Sequence, residues 1–254
     1  MISQEFSKSK LKFLQSLKLK KYRQKYQTFL VEGRKVILEI LKDNNLKIKS
    51  LYAENRWIDT HQDILRNLDI HVCAVSAPEL KKISSLNNAD QVCAEVQMID
   101  ADQTPLSVDG WLLYLDGISD PGNLGTIIRA ADWFGVKAVC FGAGCADLYN
   151  PKSLQATMGS FAHVPAVSIS AFELHAKADG KVWYLAELEG KPVNSIVPPA
   201  SGGIIAIGSE SHGITNEVRA IPHIGITIPK RPGAAAESLN AALATAIILN
   251  QLTS

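Results

Sequence analysis

The sequence is poor in the features that decide a function by themselves. It has only four cysteines in 254 residues, Cys73, Cys93, Cys140 and Cys145. These are too few and too scattered for a disulfide scaffold, and none forms a C-x-x-C zinc pair. No apolar run approaches the ~20 residues needed to span a bilayer. The basic N-terminus lacks the apolar core of a secretory signal. The dinucleotide fingerprint G-x-G-x-x-G is missing, because Gly117, Gly122 and Gly125 are spaced five and three apart, and no P-loop is found either. Classical NAD or ATP binding is therefore disfavoured. Net charge is almost absent too, with 26 Lys+Arg against 25 Asp+Glu. What is plentiful is core material: 46% of residues are hydrophobic and 20% charged, which excludes intrinsic disorder. The expectation is a soluble, metal-free protein of the reducing cytoplasm, built as one large domain or two modest ones.

The near-neutral total hides an uneven distribution. Residues 1–50 carry 13 basic and four acidic side chains, a net +9, whereas the remaining residues carry 13 bases and 21 acids, a net −8. A basic module joined to a more acidic body suggests a polyanionic partner. Lysines on an exposed helix can also be simply solvated. The density of Lys18, Lys20, Lys21, Arg23 and Lys25, interleaved with Tyr22 and Tyr26, favours nucleic acid. A membrane-surface helix fits less well, since Leu11, Phe13, Leu14, Leu17 and Leu19 make no broad, aromatic-rich lipid face.

The chain divides into a small α/β domain over 1–97, a linker over 98–110, and a second α/β domain over 111–254. In the first, helices are expected at 6–20, 34–42, 58–67 and 77–85, with strands at 28–32, 48–53, 70–75 and 92–96. The linker loses periodicity and holds Pro, Gly and acids. In the second, apolar strands at 111–117, 137–142, 164–169, 182–188, 203–208 and 224–229 alternate with helices that include 123–135, 151–162 and 236–252. Such alternation argues for a mostly parallel sheet covered on both faces.

Ligands in such sheets bind beyond the carboxyl ends of the strands, which points to three loops. In the first, Asp120-Pro121-Gly122-Asn123 ends a strand and opens a helix, with Asn123 either an N-cap or a ligand group. Arg129, six residues on, is the one strong polar group in an apolar stretch. It is either paired internally or kept for a phosphate or carboxylate. The second, Gly208-Ser209-Glu210-Ser211-His212-Gly213, permits close backbone approach and offers Glu210 and His212 as acid–base groups. His212 reads most simply as a surface histidine. In the third, Glu237-Ser238-Leu239-Asn240 opens a helix whose free N–H groups can hold an anion.

Taken together, DPGNLGTIIRAAD (120–132), IGSESHG (207–213) and IP…ESLNAALA (228–244) resemble the three motifs of the SpoU, or TrmH-like, methyltransferases of the SPOUT class. YNPKSLQATMGSFAHVP (149–165) resembles the family's intermediate stretch. KYRQKYQTFLVEGRKVILEIL (21–41) is similar to the substrate-binding domain of ribosomal RNA members. The resemblance implies methyl transfer from S-adenosylmethionine to a ribose 2′-hydroxyl of RNA, a homodimer, and a C-terminal trefoil knot. It implies that Arg129 binds the target phosphate and helps deprotonate the hydroxyl. It places Asn123, Glu210, Ser238 and Asn240 in the polar site, with Gly208, Ile228 and Leu239 holding the cofactor. Ribosomal RNA is the expected substrate; transfer RNA, or a non-catalytic assembly role, are the alternatives. Three departures stand out. The KRPGAAA loop is longer than usual, Lys230 replaces the customary methionine, and Gln155 stands where many members carry arginine.

Overall fold

The computed structural model describes residues 6–42, 46–99 and 106–253. It separates into two compact units, one running to Ile99 and also taking in Tyr149–Ala162, the other formed by the rest of the chain. The helix at Pro151–Thr157 thus groups with the first unit, although its sequence position suggests the second. Of the expected linker, residues 100–105 lie outside the described residues, and 98–99 and 106–110 carry neither helix nor strand.

The first unit is built on a four-stranded sheet in the order β1–β4–β2–β3, from β1 (Thr28–Glu32), β2 (Ile48–Ala53), β3 (His71–Ala74) and β4 (Val92–Gln97). β4 pairs antiparallel with β1 and β2, and β2 pairs parallel with β3. Helices α1 (Lys8–Ser16), α2 (Lys20–Tyr26), α3 (Arg34–Ile40), α4 (Asn55–Thr60), α5 (Gln62–Arg66) and α6 (Ala77–Ile83) complete it. Leu14, Leu17, Tyr52, Leu80 and Ile83 share one core cluster. The helix expected over 6–20 ends at Ser16, and a further, unexpected helix follows at Lys20–Tyr26. Leu17 turns into the core at 2% exposure, and the Arg23 guanidinium donates to the carbonyls of Leu17 and Lys18, each at 2.8 Å. Those bonds satisfy carbonyls freed at the break. The helix expected at 58–67 is split at His61.

The second unit is a six-stranded, wholly parallel sheet in the order β10–β8–β9–β5–β6–β7. Its strands are β5 (Leu112–Asp116), β6 (Ala138–Phe141), β7 (Ala166–Ser168), β8 (Trp183–Pro192), β9 (Ile204–Gly208) and β10 (His223–Thr227). β5 is buried along its whole length, as a central strand covered on both faces must be. α7 (Pro121–Trp133) follows β5, and α11 (Ala241–Leu252) ends the fold; between them come α8 (Pro151–Thr157, in the first unit), α9 (Ala171–Lys177) and α10 (Asn216–Arg219). Trp183, Leu112, Tyr114, Ile204 and Leu174 lie in one buried cluster. The last helix starts at Ala241, not near 236, because Asn240 caps it.

Candidate active site

All six strands run the same way, so their carboxyl ends share one edge. β5 and β9 are neighbours, with Asp116 in register with Gly208, which sets the loop before α7 beside the loop after β9. Asp116 is 5% exposed, and its Oδ2 accepts the Thr215 N–H at 2.7 Å, tying the far end of the 208–215 loop to the neighbouring strand. Within the loop, Gly213 N–H donates to Ser209 O at 2.8 Å. A Cβ on Gly208 would run into the backbone of Gly213 and Ile214, so only glycine lets this loop close so tightly.

Each loop then contributes a side chain to a single cluster. Asp120 caps α7 by accepting the Asn123 N–H at 2.8 Å. This corrects the expectation that Asn123 might be the cap. Freed from that duty, the Asn123 Nδ2 donates to Glu210 Oε1 at 2.7 Å. Asn240 Nδ2 donates to Asn123 Oδ1 at 2.9 Å and to Glu210 Oε1 at 3.0 Å. Asn240 Oδ1 meanwhile accepts from Ala242 and Leu243 N–H at 3.0 and 3.3 Å, capping α11. Glu210 Oε1 also takes the Ala241 N–H at 3.2 Å. A carboxylate from another loop therefore complements the helix N-terminus. Glu237, expected in that role, lies ahead of the cap instead.

The other anticipated residues are placed as follows. Arg129 is exposed on α7 and makes no ion pair or side-chain hydrogen bond with a described residue; of its two readings, internal pairing is not observed. Ser238 is exposed and makes no hydrogen bond within the described residues, so the cluster gathers Asn123, Glu210 and Asn240 without it. Ile228 is half-buried just beyond β10, and Leu239 is 45% exposed in the loop before α11. His212 is exposed, with Nδ1 2.7 Å from Ser211 Oγ.

In the first unit Lys20, Lys21 and Lys25 are exposed on α2, with Lys21 and Lys25 lying 4.9 and 5.3 Å from the ring centres of Tyr22 and Tyr26. Lys18 donates to Ser84 O at 2.6 Å. Arg23 does not fit an RNA contact: it is 3% exposed and joins α1 to α2 from inside. Its alternation with tyrosines gave no hint of this, because a helix of seven residues buries one side whatever its charge. Asp116 and Asp120 were missed as site-builders. An acid closing an apolar strand, and an acid directly before proline at a helix start, were the available signals.

Burial pushes the thiols flanking this edge away from reactivity. Cys140 is raised to about 12 by desolvation, and Cys145 is raised chiefly by burial, against hydrogen bonds from the Ile118 and Gly117 backbone. Neither is a thiolate near neutral pH.

An all-parallel sheet with polar groups from three loops gathered beyond its carboxyl edge is an α/β arrangement whose candidate ligand site lies at that edge. Residues 110–250 match the SpoU rRNA Methylase family, and residues 8–94 match the MRM3-like substrate binding domain. The chain belongs to the SpoU rRNA methylase family. It is 30% identical to the 23S rRNA (guanosine(2553)-2′-O)-methyltransferase RlmP of Bacillus subtilis, over 96% of this chain and 95% of that protein. A TrmH-family structure from Porphyromonas gingivalis superposes with a TM-score of 0.84 at 33% identity, covering 98% of each chain. The SpoU methyltransferase AviRb from Streptomyces viridochromogenes, crystallised with AdoMet, gives a TM-score of 0.82 at 25% identity, covering 96% of this chain and 97% of that one.

Proposed function

We propose that the protein transfers a methyl group from S-adenosylmethionine to a ribose 2′-hydroxyl of ribosomal RNA. The observation that carries this is the hydrogen-bonded Asn123–Glu210–Asn240 cluster, which joins all three loops in a chain of this family. The residues suit the cofactor. The half-buried Ile228 and exposed Leu239 offer apolar surface for an adenine or a methionine chain, and the Gly208 turn brings backbone donors and acceptors close. When bound, S-adenosylmethionine supplies an electrophilic methyl on a sulfonium.

The chain's own task is to hold the hydroxyl and manage one proton. Arg129 acts by charge: it binds the phosphate of the target nucleotide and stabilises the oxyanion that develops as the hydroxyl proton passes to solvent. Asn123, Glu210 and Asn240 fix one another's positions, and Ser238 supplies a hydroxyl from the loop that carries Leu239. Residues 1–97 form the substrate-binding part, 98–110 the linker and 111–254 the catalytic part. The catalytic part includes the trefoil knot. A homodimer is supported by exposed apolar side chains on the outer faces of α7 and α11: Trp133 at 84%, Leu243 at 59% and Ile247 at 40%. Covering such side chains is a usual reason for association. The working compartment is the cytoplasm.

Incubating ribosomal RNA and transfer RNA transcripts with methyl-labelled cofactor tests the proposal. Labelling of ribosomal RNA at a ribose is expected. Labelling of transfer RNA alone would overturn the substrate, and no labelling with either would overturn the activity.

A further inference from the structure

A concavity of the first unit lies away from the lysines of α2. It is a groove of about 800 Å³ lined by residues from the start of α3, from α4, and from α8, among them Arg34, Lys35, Arg56, His61, Gln155 and Met158. Two acids also line it, and both are engaged. Asp90 holds Arg34 twice, through Nε at 2.9 Å and through its backbone N–H at 2.8 Å. Glu32 accepts the Ser85 N–H at 2.9 Å and the hydroxyl of Ser84. Lys35 and Arg56 are exposed and make no ion pair with a described residue. The groove therefore carries two uncommitted cations among compensated charges.

Its floor is fixed rather than soft. Trp57 is 1% exposed and stacks on the His61 ring at 4.4 Å between centroids and 25° between planes. His61 Nδ1 lies 2.8 Å from Trp57 O and donates to it, which leaves Nε2 as the ring nitrogen open to a ligand. Gln155 and Met158, both exposed, add an amide and a thioether.

We infer that this groove binds a single-stranded RNA segment, with Lys35 and Arg56 on its phosphates and His61 Nε2, Gln155 and Met158 against its bases. A cavity of this size has the volume of a small-ligand site. It can take nucleotides out of a helix, whereas a duplex cannot enter it, and single strands are where RNA sequence is read. The inference rests on the RNA substrate proposed above and adds where, and in which form, the RNA is gripped.

The test uses the full-length chain with the variant K35Q/R56Q, both positions being exposed and unpaired. Binding of a fluorescein-labelled single-stranded RNA decamer is followed by anisotropy across a salt series. Each phosphate contact on a single strand contributes about 0.7 to the slope of log K against log salt, so the double variant should lose about 1.4. Between 50 and 200 mM salt the wild type should then lose about sevenfold more affinity than the variant. An unchanged slope, or a loss seen only with duplex RNA, would overturn the groove. Methyl transfer to ribosomal RNA by the wild type is measured alongside. If it is absent while the slope still falls, the activity proposal fails and the groove stands. If it is present with an unchanged slope, the reverse holds.

Discussion

Removing Glu210 tests whether the three-loop cluster is the working part of the site. One oxygen of this carboxylate accepts from Asn123, Asn240 and the Ala241 N–H, at 2.7, 3.0 and 3.2 Å. The side chain is exposed, so water recovers much of each lost bond and the low end of the range, about 0.5 kcal/mol per bond, applies. Loss of a negative charge at the head of α11 adds roughly 0.3–1 kcal/mol. E210A should therefore destabilise the catalytic unit by about 2 kcal/mol, a drop of about 1 M in urea midpoint at an m-value of ~2 kcal/mol/M. Loosening both asparagines should cost about 10²-fold in kcat/KM, the scale of a misplaced reactive group. E210Q keeps a carbonyl acceptor and the side-chain volume. It should recover most of the stability and part of the rate. Urea titration and initial-rate methylation of ribosomal RNA read these effects. Wild-type kcat/KM with an unshifted midpoint in E210A would mean that the cluster neither supports the site nor holds the loops.

Arg129→Ala should abolish turnover and leave cofactor affinity by calorimetry within a fewfold, since its charge acts on the RNA; retained turnover would remove it from the mechanism. K20Q/K21Q/K25Q should lower the salt slope of RNA binding by about 0.7–0.9 per contact. R23Q should leave that slope alone and instead cost ~1–3 kcal/mol, because two carbonyls at the α1–α2 junction lose a buried donor. The opposite pattern would put Arg23 back on the RNA face. Gly208→Ala drives a Cβ into the backbone of Gly213 and Ile214, so S-adenosylmethionine binding should weaken at least tenfold along with a lowered melting temperature. Unchanged affinity would show that the loop has another way to close.

The sheet of the catalytic unit was legible because its strands are unbroken apolar runs: Leu112 to Leu115 or Ile204 to Ile207 suit only a strand buried on both faces. The three loops were legible for the same reason, as the glycine and polar punctuation between those runs. What escaped was set by tertiary partners. Nothing local tells that Arg23 turns inward, since its burial depends on where Leu17 breaks the helix. α11 starts about a turn later than its sequence pattern suggests. Glu237-Ser238 looks like a helix opening, but Asn240 makes the cap and an acid thirty residues upstream complements it. The grouping of Pro151–Thr157 with the first unit depends on contacts such as Phe29 with Tyr149 at 4.5 Å, far apart in sequence.

Asn240 joins fold and chemistry in one side chain, and the two can be separated. Its Oδ1 caps α11 while its Nδ2 serves Asn123 and Glu210. Aspartate is as good an N-cap as asparagine, so N240D preserves the helix start. It replaces the amide donor with a second carboxylate oxygen within hydrogen-bond distance of Glu210 Oε1, where two acceptors repel and like charges add to the repulsion. If capping were all that Asn240 does, N240D would be silent in both stability and rate. If the donor matters, stability should change by no more than about 1 kcal/mol while kcat/KM falls by ~10². Wild-type activity in N240D would reduce Asn240 to a cap and leave the link between the third loop and the first two without a chemical role.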